Sequence, residues 1–161
     1  MPTRFLVSAV LFACAGAANA AVLTESNLSM ADAQKLAAAT VAACQAKGYN
    51  VSAAVVDRAG LLKAFARADN AGPHTIEASR AKAFTAVSAK TPTLAMMENA
   101  QKNLGAANLT DIPGFLLLGG GVPIKAGAGV IGAIGVAGAP GGNLDAQCAD
   151  AVLEENAALF K

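Results

Sequence analysis

Residues 49–67 read YNVSAAVVDRAGLLKAFAR, and their pattern predicts two strands joined by a turn. Its first half is rich in β-branched residues, its second half returns to apolar residues, and Asp57-Arg58-Ala59-Gly60 lies between the two halves as a turn. Short apolar runs on either side of such a turn predict a β-hairpin, with strands over 49–56 and 61–67. Strands joined by a short turn run antiparallel, so the hairpin favours a mainly antiparallel sheet.

Helices are predicted on both sides of the hairpin. Upstream, Ser29 is followed three residues later by Asp32, which is typical of an N-cap, and Lys47-Gly48 is typical of a helix end. Downstream, Pro73 precedes a helix over about 74–89, and a further helix covers about 93–103.

The last third of the chain predicts three strands and a final helix. The strands are expected at 115–118, 122–125 and 130–137, separated by glycine-containing turns. Asn143 is a good N-cap for a helix that runs to about Leu159. The resulting order, α-β-β-α-α-β-β-β-α, indicates an α/β (more strictly α+β) domain with helices packed on the sheet.

Composition supports one domain with a tightly packed core. Apolar residues make up 55% of the 161 residues, but aromatic residues only 4%. Because alanine and glycine supply much of the apolar content, the backbones of helices and sheet must approach closely to fill the core. A domain of this size also leaves apolar surface exposed, which favours a homo-oligomer, a dimer or higher.

The first 20 residues have the pattern of a cleaved signal peptide. Arg4 is followed by an apolar run over 5–13 and by Ala18-Asn19-Ala20, a typical cleavage site. Cleavage would leave residues 21–161 as one periplasmic or secreted domain. The alternatives are a buried N-terminal helix and a lipoprotein modified at Cys14. The run is too short to span a bilayer, so no membrane insertion is expected after cleavage.

Two cysteines, Cys44 and Cys148, remain after cleavage. In an oxidising compartment such a pair is a candidate disulfide. A bridge would close a loop of about 105 residues, with a stabilisation of up to about 4–5 kcal/mol in the chain-entropy model. The alternative is two inert thiols buried on separate helix faces.

Charge and glycine motifs exclude several functions. The formal net charge is +1, and removal of the first 20 residues removes only Arg4, which leaves 11 basic and 11 acidic side chains. A neutral chain has no electrostatic footprint for nucleic acid. Residues 127–132 match G-x-G-x-x-G, but they enter a predicted strand rather than a helix, so dinucleotide binding is not expected.

His74 and the three glycines Gly119, Gly120 and Gly121 are the candidate ligand-binding residues. His74 is the only histidine, and a neutral imidazole can ligate metal or haem iron, although a solitary histidine is more often a surface residue. The glycines either form a simple tight turn or give one wall of a ligand site. Met96-Met97 and Tyr49 are weaker candidates for an axial ligand, and the methionines are more typical of core filling.

Four segments in order resemble the GlcG/HbpS family, also described as DUF336-type and related to the C-terminal domain of PduO. They cover nearly the whole predicted mature chain: VVDRAG at 55–60, IEASRAKAFTA at 76–86, IPG at 112–114 with GGGVPI at 119–124, and VIGAIGV at 130–136 with Asp145 and Cys148. The resemblance implies a profilin-like layered domain with a five-stranded, mostly antiparallel sheet, and assembly into oligomers.

The resemblance also implies haem binding, with His74 as the position that we favour for the iron ligand and the Gly119–Gly121 turn as part of the pocket. An iron-binding property associated with D/E-x-x-E pairs is not carried over, because that spacing does not occur here. The expected function is therefore an exported haem-binding protein that scavenges, buffers or senses haem. The alternatives are an accessory subunit of an extracytoplasmic oxidation system without its own catalysis, or a hydroxy-acid-linked enzyme; catalysis is the weaker expectation.

Overall fold

The computed structural model describes residues 22–160, so the predicted signal peptide with Cys14 lies outside the described residues. In this range four helices pack on a four-stranded sheet. The helices are α1 (Met30–Gln45), α2 (Thr75–Ala89), α3 (Thr93–Lys102) and α4 (Gly142–Glu155), and the strands are β1 (Ser52–Asp57), β2 (Leu62–Arg67), β3 (Gly121–Ala126) and β4 (Gly129–Ala137). Short 3-10 segments follow α3 and α4, at Leu104–Asp111 and Ala157–Phe160. No helix within residues 22–160 has the length and apolar character needed to cross a membrane.

The sheet has the order β2-β1-β4-β3, and every neighbouring pair of strands is antiparallel. The predicted hairpin is confirmed as β1 and β2, with Ala54 opposite Phe65. The later strands β3 and β4 form a second hairpin, and β4 pairs with β1 to join the two. The fold is therefore α+β with an antiparallel sheet, as the segment order predicts.

The expectation of five strands is wrong for the described chain, because residues 115–118 form no strand. Side chains of neighbouring helices take up the hydrogen bonds of this segment: the N–H of Leu116 donates to Thr85 Oγ1 at 2.8 Å, and the carbonyl of Leu118 accepts from Thr93 Oγ1 at 2.6 Å. Phe115 packs edge-on against Phe84, with ring centroids 6.2 Å apart. An apolar run that satisfies its backbone groups in this way has no need of a strand partner.

Helix α2 covers one face of the sheet at very short range. Ala83 and Ala86 are fully buried against Val56 and Ala133. A Cβ added to Gly135 on β4 would lie 2.5 Å from the backbone nitrogen of Ala83, which is inside van der Waals contact. The small side chains are thus what allow helix and sheet to touch, as the alanine- and glycine-rich composition predicts.

Helices α1 and α4 pack on the opposite face, and a disulfide joins them. Leu36 on α1 and Val152 on α4 are buried in the core that also contains Ile134. Cys44 and Cys148 are both fully buried, with their Cα atoms 5.4 Å apart, and the structure holds them as a disulfide. The first and last helices of the described chain are thereby linked directly.

Helix starts follow the sequence at α1 but not at α4. Ser29 is the N-cap of α1, and its hydroxyl accepts from the N–H of Asp32 at 3.1 Å, as predicted. The assignment of Asn143 as the N-cap of α4 is wrong: the N-cap is Gly141, and Asn143 lies inside the first turn. Gly141 has no side chain with which to cap, so this helix begins without a side-chain hydrogen bond.

The two edge strands, β2 and β3, differ in their exposed apolar side chains and in their backbone N–H groups. On and beside β2, the large apolar side chains of Leu61, Leu62 and Phe65 are exposed by 67%, 52% and 39%. Strand β3 contains Pro123, which has no N–H to offer to a further strand.

Reduction of the disulfide is expected to lower the free energy of unfolding by up to about 4–5 kcal/mol, since the crosslink restricts about a hundred residues of the unfolded chain. Urea denaturation with and without a thiol reductant measures this difference. The double variant Cys44→Ser/Cys148→Ser should resemble the reduced protein and ignore the reductant. Equal stability of the oxidised and reduced protein would contradict the prediction.

Candidate functional site

A cavity of about 270 Å³ opens at the end of the sheet where β4 leads into α4. Its walls come from the start of α2, from the loop 137–142, and from Leu118-Gly119. His74 and Gly119 both line it, so the structure brings together two residues that the sequence singled out. Their meeting at one opening makes this cavity the candidate functional site.

His74 is the N-cap residue of α2, and a network of hydrogen bonds holds it at the opening. The loop before it is tied down because Thr75 Oγ1 donates to the carbonyl of Gly72 at 2.6 Å and lies 2.7 Å from Ser52 Oγ on the sheet. The imidazole rests against Gly72, where an added Cβ would be 2.9 Å from Nδ1. The exposed side chain of His74 makes no capping hydrogen bond, which leaves its ring nitrogens available to a ligand.

The three predicted glycines divide into one that lines the cavity and two behind the wall. All three are buried, and only Gly119 is part of the cavity lining. Gly120 has a φ of +119°, and a Cβ there would lie 2.5 Å from the carbonyl oxygen of Val136. The N–H of Gly121 donates to Thr93 Oγ1 at 2.8 Å. Close backbone approach explains all three glycines, since an added Cβ on Gly119 would lie 2.9 Å from the carbonyl carbon of Gly142.

A buried ion pair forms part of the same lining. The ammonium of Lys82 on α2 lies 2.8 Å from Asp145 Oδ2 on α4, and only 5% and 4% of these side chains are exposed. Lys82 also donates to the carbonyl of Val136 at 2.9 Å, and the N–H of Ala139 donates to Asp145 Oδ1 at 3.0 Å. The pair thus connects both helices to the end of β4.

Burial raises the pKa of Asp145 above its ordinary value, because the carboxylate loses its hydration. The hydrogen bond and positive charge of Lys82 and the N–H of Ala139 act in the opposite direction. The carboxylate is therefore held in place by its partners rather than by solvent.

Sequence reasoning did not identify the pair of Lys82 and Asp145. A second ion pair on α2 joins Arg80 to Glu77 at 2.8 Å, and both of these side chains are exposed. The available signal was the position of Lys82, which falls at helical spacing between Ser79 and Ala86 on the buried face of α2. A lysine within an apolar stripe needs a buried partner.

The weaker candidates occupy different places. Met97 is half-buried and lines the cavity, whereas its neighbour Met96 is buried in the packing, as expected for adjacent methionines on one helix. Tyr49 packs against the core at the far side of the sheet from α2. No cluster of three or more His, Cys, Asp or Glu side chains suited to a metal ion occurs among residues 22–160.

Two larger cavities have no histidine, methionine or cysteine in their lining. One of about 430 Å³ lies between β3 and α4, and one of about 610 Å³ lies at the opposite end of α2. The second is lined by Arg58, Lys90 and Lys125, together with Glu25, which pairs with Arg58 at 3.1 Å. Neither is lined by histidine, methionine or cysteine, whereas the cavity beside His74 has an imidazole and a thioether in its lining.

The family model described as "Haem degrading protein HbpS-like" matches residues 28–154, which include every residue of the candidate site. The chain belongs to the HbpS-like family. A crystal structure of HbpS superposes on this HbpS-like chain with a TM-score of 0.78 and 41% identity, covering 83% of this chain and 93% of HbpS. A crystal structure of a PduOC–heme complex has a TM-score of 0.71 and 25% identity, covering 80% and 94%. Protein GlcG of Escherichia coli (strain K12) is 36% identical over 107 residues, 64% of this chain and 78% of GlcG.

The crowding around Gly120 predicts a position-specific loss of stability. Gly120→Ala should lower the free energy of unfolding by about 2–5 kcal/mol, because a Cβ is disfavoured at positive φ and also meets backbone atoms. Gly127 is the matched control: its φ is +56°, but nothing lies within 4 Å of an added Cβ. Gly127→Ala should cost only about 1–2 kcal/mol in the same urea denaturation, and equal losses would show that crowding contributes nothing.

Removal of the lysine should expose the electrostatic role of the pair. Lys82→Met is expected to lower the free energy of unfolding by about 3–5 kcal/mol at neutral pH, because Asp145 is left buried without its counterion. Burial raises the pKa of Asp145 in the folded protein above its pKa in the unfolded chain. The stability that the Asp145 side chain contributes is therefore greatest below about pH 4, where it is protonated in both states. This contribution is lost as the pH rises through the raised pKa. The difference in the free energy of unfolding between the wild-type protein and Lys82→Met should therefore become smaller in acid.

The double variant Lys82→Met/Asp145→Asn is the control for that loss. Asparagine keeps an acceptor for the N–H of Ala139 but carries no charge, so most of the lost stability should return. A double variant as unstable as the single one would assign the loss to packing rather than charge.

Proposed function

We propose that this protein binds haem outside the cytoplasm, at the cavity beside His74. The observation that carries the proposal is that the only histidine of the chain stands at the opening of a cavity that also has Met97 in its lining. Imidazole and thioether are two of the side chains that ligate haem iron in proteins.

The remaining lining suits one edge of a flat, largely apolar ring. Ala78, Ala137 and Pro140 contribute small apolar side chains, and Leu118 adds a larger apolar one. The volume of about 270 Å³ is just below the range of sites that enclose a drug-sized ligand. Haem would therefore enter by one edge and keep part of its surface outside.

Relatives of this chain support the same ligand. The matching family is described as haem-degrading, and the PduOC relative was crystallised with heme. The candidate site lies wholly within the matched segment. Bound haem would supply the iron chemistry, while His74 would orient it at the opening.

The disulfide between Cys44 and Cys148 supports export, since such bridges persist in oxidising compartments. Together with the predicted signal peptide it favours a periplasmic or secreted location, where haem scavenging, buffering or sensing would take place. The homo-oligomer expected from the sequence stays a prediction.

The accessory-subunit and hydroxy-acid-enzyme alternatives receive no specific support. Acid–base catalysis would need a second carboxylate facing the first, but Asp145 is the only acid in the lining of this cavity. Both of its oxygens already accept hydrogen bonds, from Lys82 and from Ala139.

A haemin titration of the purified, oxidised protein tests the proposal. We expect a saturable Soret shift, and His74→Ala should weaken the affinity by at least about tenfold and change the spectrum, because an iron ligand is lost. The readout is the Soret absorbance against haemin concentration.

Two methionine variants separate the roles within the site. Met97→Leu removes a thioether from the cavity lining, whereas Met96→Leu removes one from the buried packing and serves as the matched control. A normal spectrum in His74→Ala together with a changed one in Met97→Leu would transfer the ligand role to Met97. Absence of saturable binding in the wild-type protein would overturn the proposed function.

A further inference from the structure

The cavity of about 610 Å³ lies at the opposite end of α2 from His74 and collects positive charge. Three cationic side chains line it, and each comes from a different element: Arg58 from the turn between β1 and β2, Lys90 from the end of α2, and Lys125 from β3. Because these residues are far apart in the sequence, only the fold brings their charges together. The cavity shares no lining residue with the one beside His74.

The lining carries more positive than negative charge. Its one carboxylate, Glu25, is already paired with Arg58 at 3.1 Å. Within residues 22–160, no acidic side chain forms an ion pair with Lys90 or Lys125. Three basic groups against one acid leave an excess of two positive charges in the cavity of a nearly neutral chain.

Arg58 is held in place by the segment that precedes α1. In addition to its ion pair with Glu25, its Nη1 donates to the carbonyl of Ser26 at 3.5 Å, and its backbone N–H donates to Asn27 Oδ1 at 3.3 Å. A guanidinium has five N–H donors, and 34% of this side chain is exposed, so donors remain for a ligand. A side chain that is already ordered loses less entropy when a ligand binds.

Lys90 has a backbone conformation that lysine rarely adopts. Its φ is +54°, and among residues 22–160 it is the only residue other than glycine with a positive φ. Glycine is usual in this conformation at the end of a helix, because a Cβ is disfavoured there. The sequence instead places a long cationic side chain at this position, and that side chain lines the cavity.

Lys125 lies at an irregularity of the sheet. The register between β3 and β4 shifts at Ile124 and Lys125, and such bulges change the direction of a side chain. Lys125 also lines the cavity between β3 and α4, but the carboxylates there, Asp150 and Glu154, form no ion pair with it. No carboxylate of the described chain therefore holds its ammonium away from the larger cavity.

We propose that this cavity binds a small phosphorylated molecule, and that Arg58, Lys90 and Lys125 hold its phosphate group. Arginine and lysine are the side chains that bind phosphate in proteins. A phosphate monoester carries nearly two negative charges at neutral pH, which matches the excess of two positive charges in the lining. The cations approach from three elements, so they fit a tetrahedral group better than a carboxylate, whose two oxygens lie in one plane.

The remaining lining can hold the organic part of such a ligand. Val87, Val130 and Ile131 contribute apolar surface, and Thr24 and Ser26 contribute hydroxyl groups. The cavity volume lies within the range of small-molecule sites. A phosphate monoester uses this space, whereas a free phosphate ion would leave most of it empty.

Backbone amide shifts in two-dimensional NMR locate the binding directly. Glycerol phosphate is the probe, titrated at constant ionic strength, and succinate is the comparison because it is a dicarboxylate of similar charge. We expect saturable shifts at Lys90, Ala128 and Gly129, which line the cavity, and a Kd about tenfold lower for glycerol phosphate than for succinate. Shifts without saturation, saturable shifts confined to other residues, or equal binding of succinate would overturn the proposal.

Lys90→Gln removes one of the three charges and should raise the Kd for glycerol phosphate about three- to tenfold, since the lost contact is partly screened by solvent. Lys90→Arg keeps the charge and should stay within about twofold of the wild type. Lys47→Gln is the matched control, because Lys47 lies just beyond the end of α1 but lines none of the cavities described above. Both lysines suit the partial negative charge at a helix end, so the two variants differ in the site alone.

An equal rise of the Kd in Lys90→Gln and Lys47→Gln would assign the effect to overall charge and overturn the site. This outcome is distinguishable from a failure of the proposed function. The haemin titration reports on the cavity beside His74, and the phosphate titration reports on lining residues at the other end of α2.

Discussion

The ion pair between Lys82 and Asp145 is the interaction on which the cavity depends. It is buried within the protein, and its atoms contact three elements: α2, the end of β4 and the first turn of α4. Removal of charges from water is costly, so such a pair is stable only when its hydrogen bonds are completed by well-placed partners. Val136 and Ala139 supply those partners from the backbone, which fixes the loop that forms one wall of the site.

Helix α4 is held at two successive turns, and this makes the site rigid. Asp145 binds Lys82 on one side, and Cys148, about one turn later, is bonded to Cys44 on α1. Rotation of α4 about its axis would break the first contact and strain the second. The first turn of α4, which lines the cavity, is therefore held in a fixed position relative to α1 and α2.

Local patterns in the sequence predicted the parts of the fold that depend on local chemistry. The hairpin around residues 57–60, the N-cap Ser29 and the close packing of an alanine- and glycine-rich core were all predictable from neighbouring residues. Residues 115–118 were mistaken for a strand because an apolar run does not show where its backbone hydrogen bonds go; here Thr85 and Thr93 on two helices provide them. A local apolar pattern thus predicts a strand even where hydrogen-bond partners distant in the sequence replace the strand partner.

The same limit applies to the candidate site. His74 and Gly119 were predictable from residue type, since a lone imidazole and a bare backbone are evident in any sequence. Lys82 was not, because its partner lies 63 positions away and only the folded chain brings the two charges together. The start of α4 was missed for a similar reason: Asn143 is a better N-cap than Gly141 by type, but the packing of Gly142 against Gly119 sets where the helix begins.

The two edges of the sheet have different capacities for growth. Pro123 offers no N–H along β3, so that edge is a poor template for a further strand, whereas β2 carries exposed apolar side chains and can be extended. A continuous fibre requires two sheet edges on every chain that can each pair with a further strand. When only one edge can pair, strand addition between identical chains would end at a closed, two-fold pair. A continuous fibre would then not form by this route.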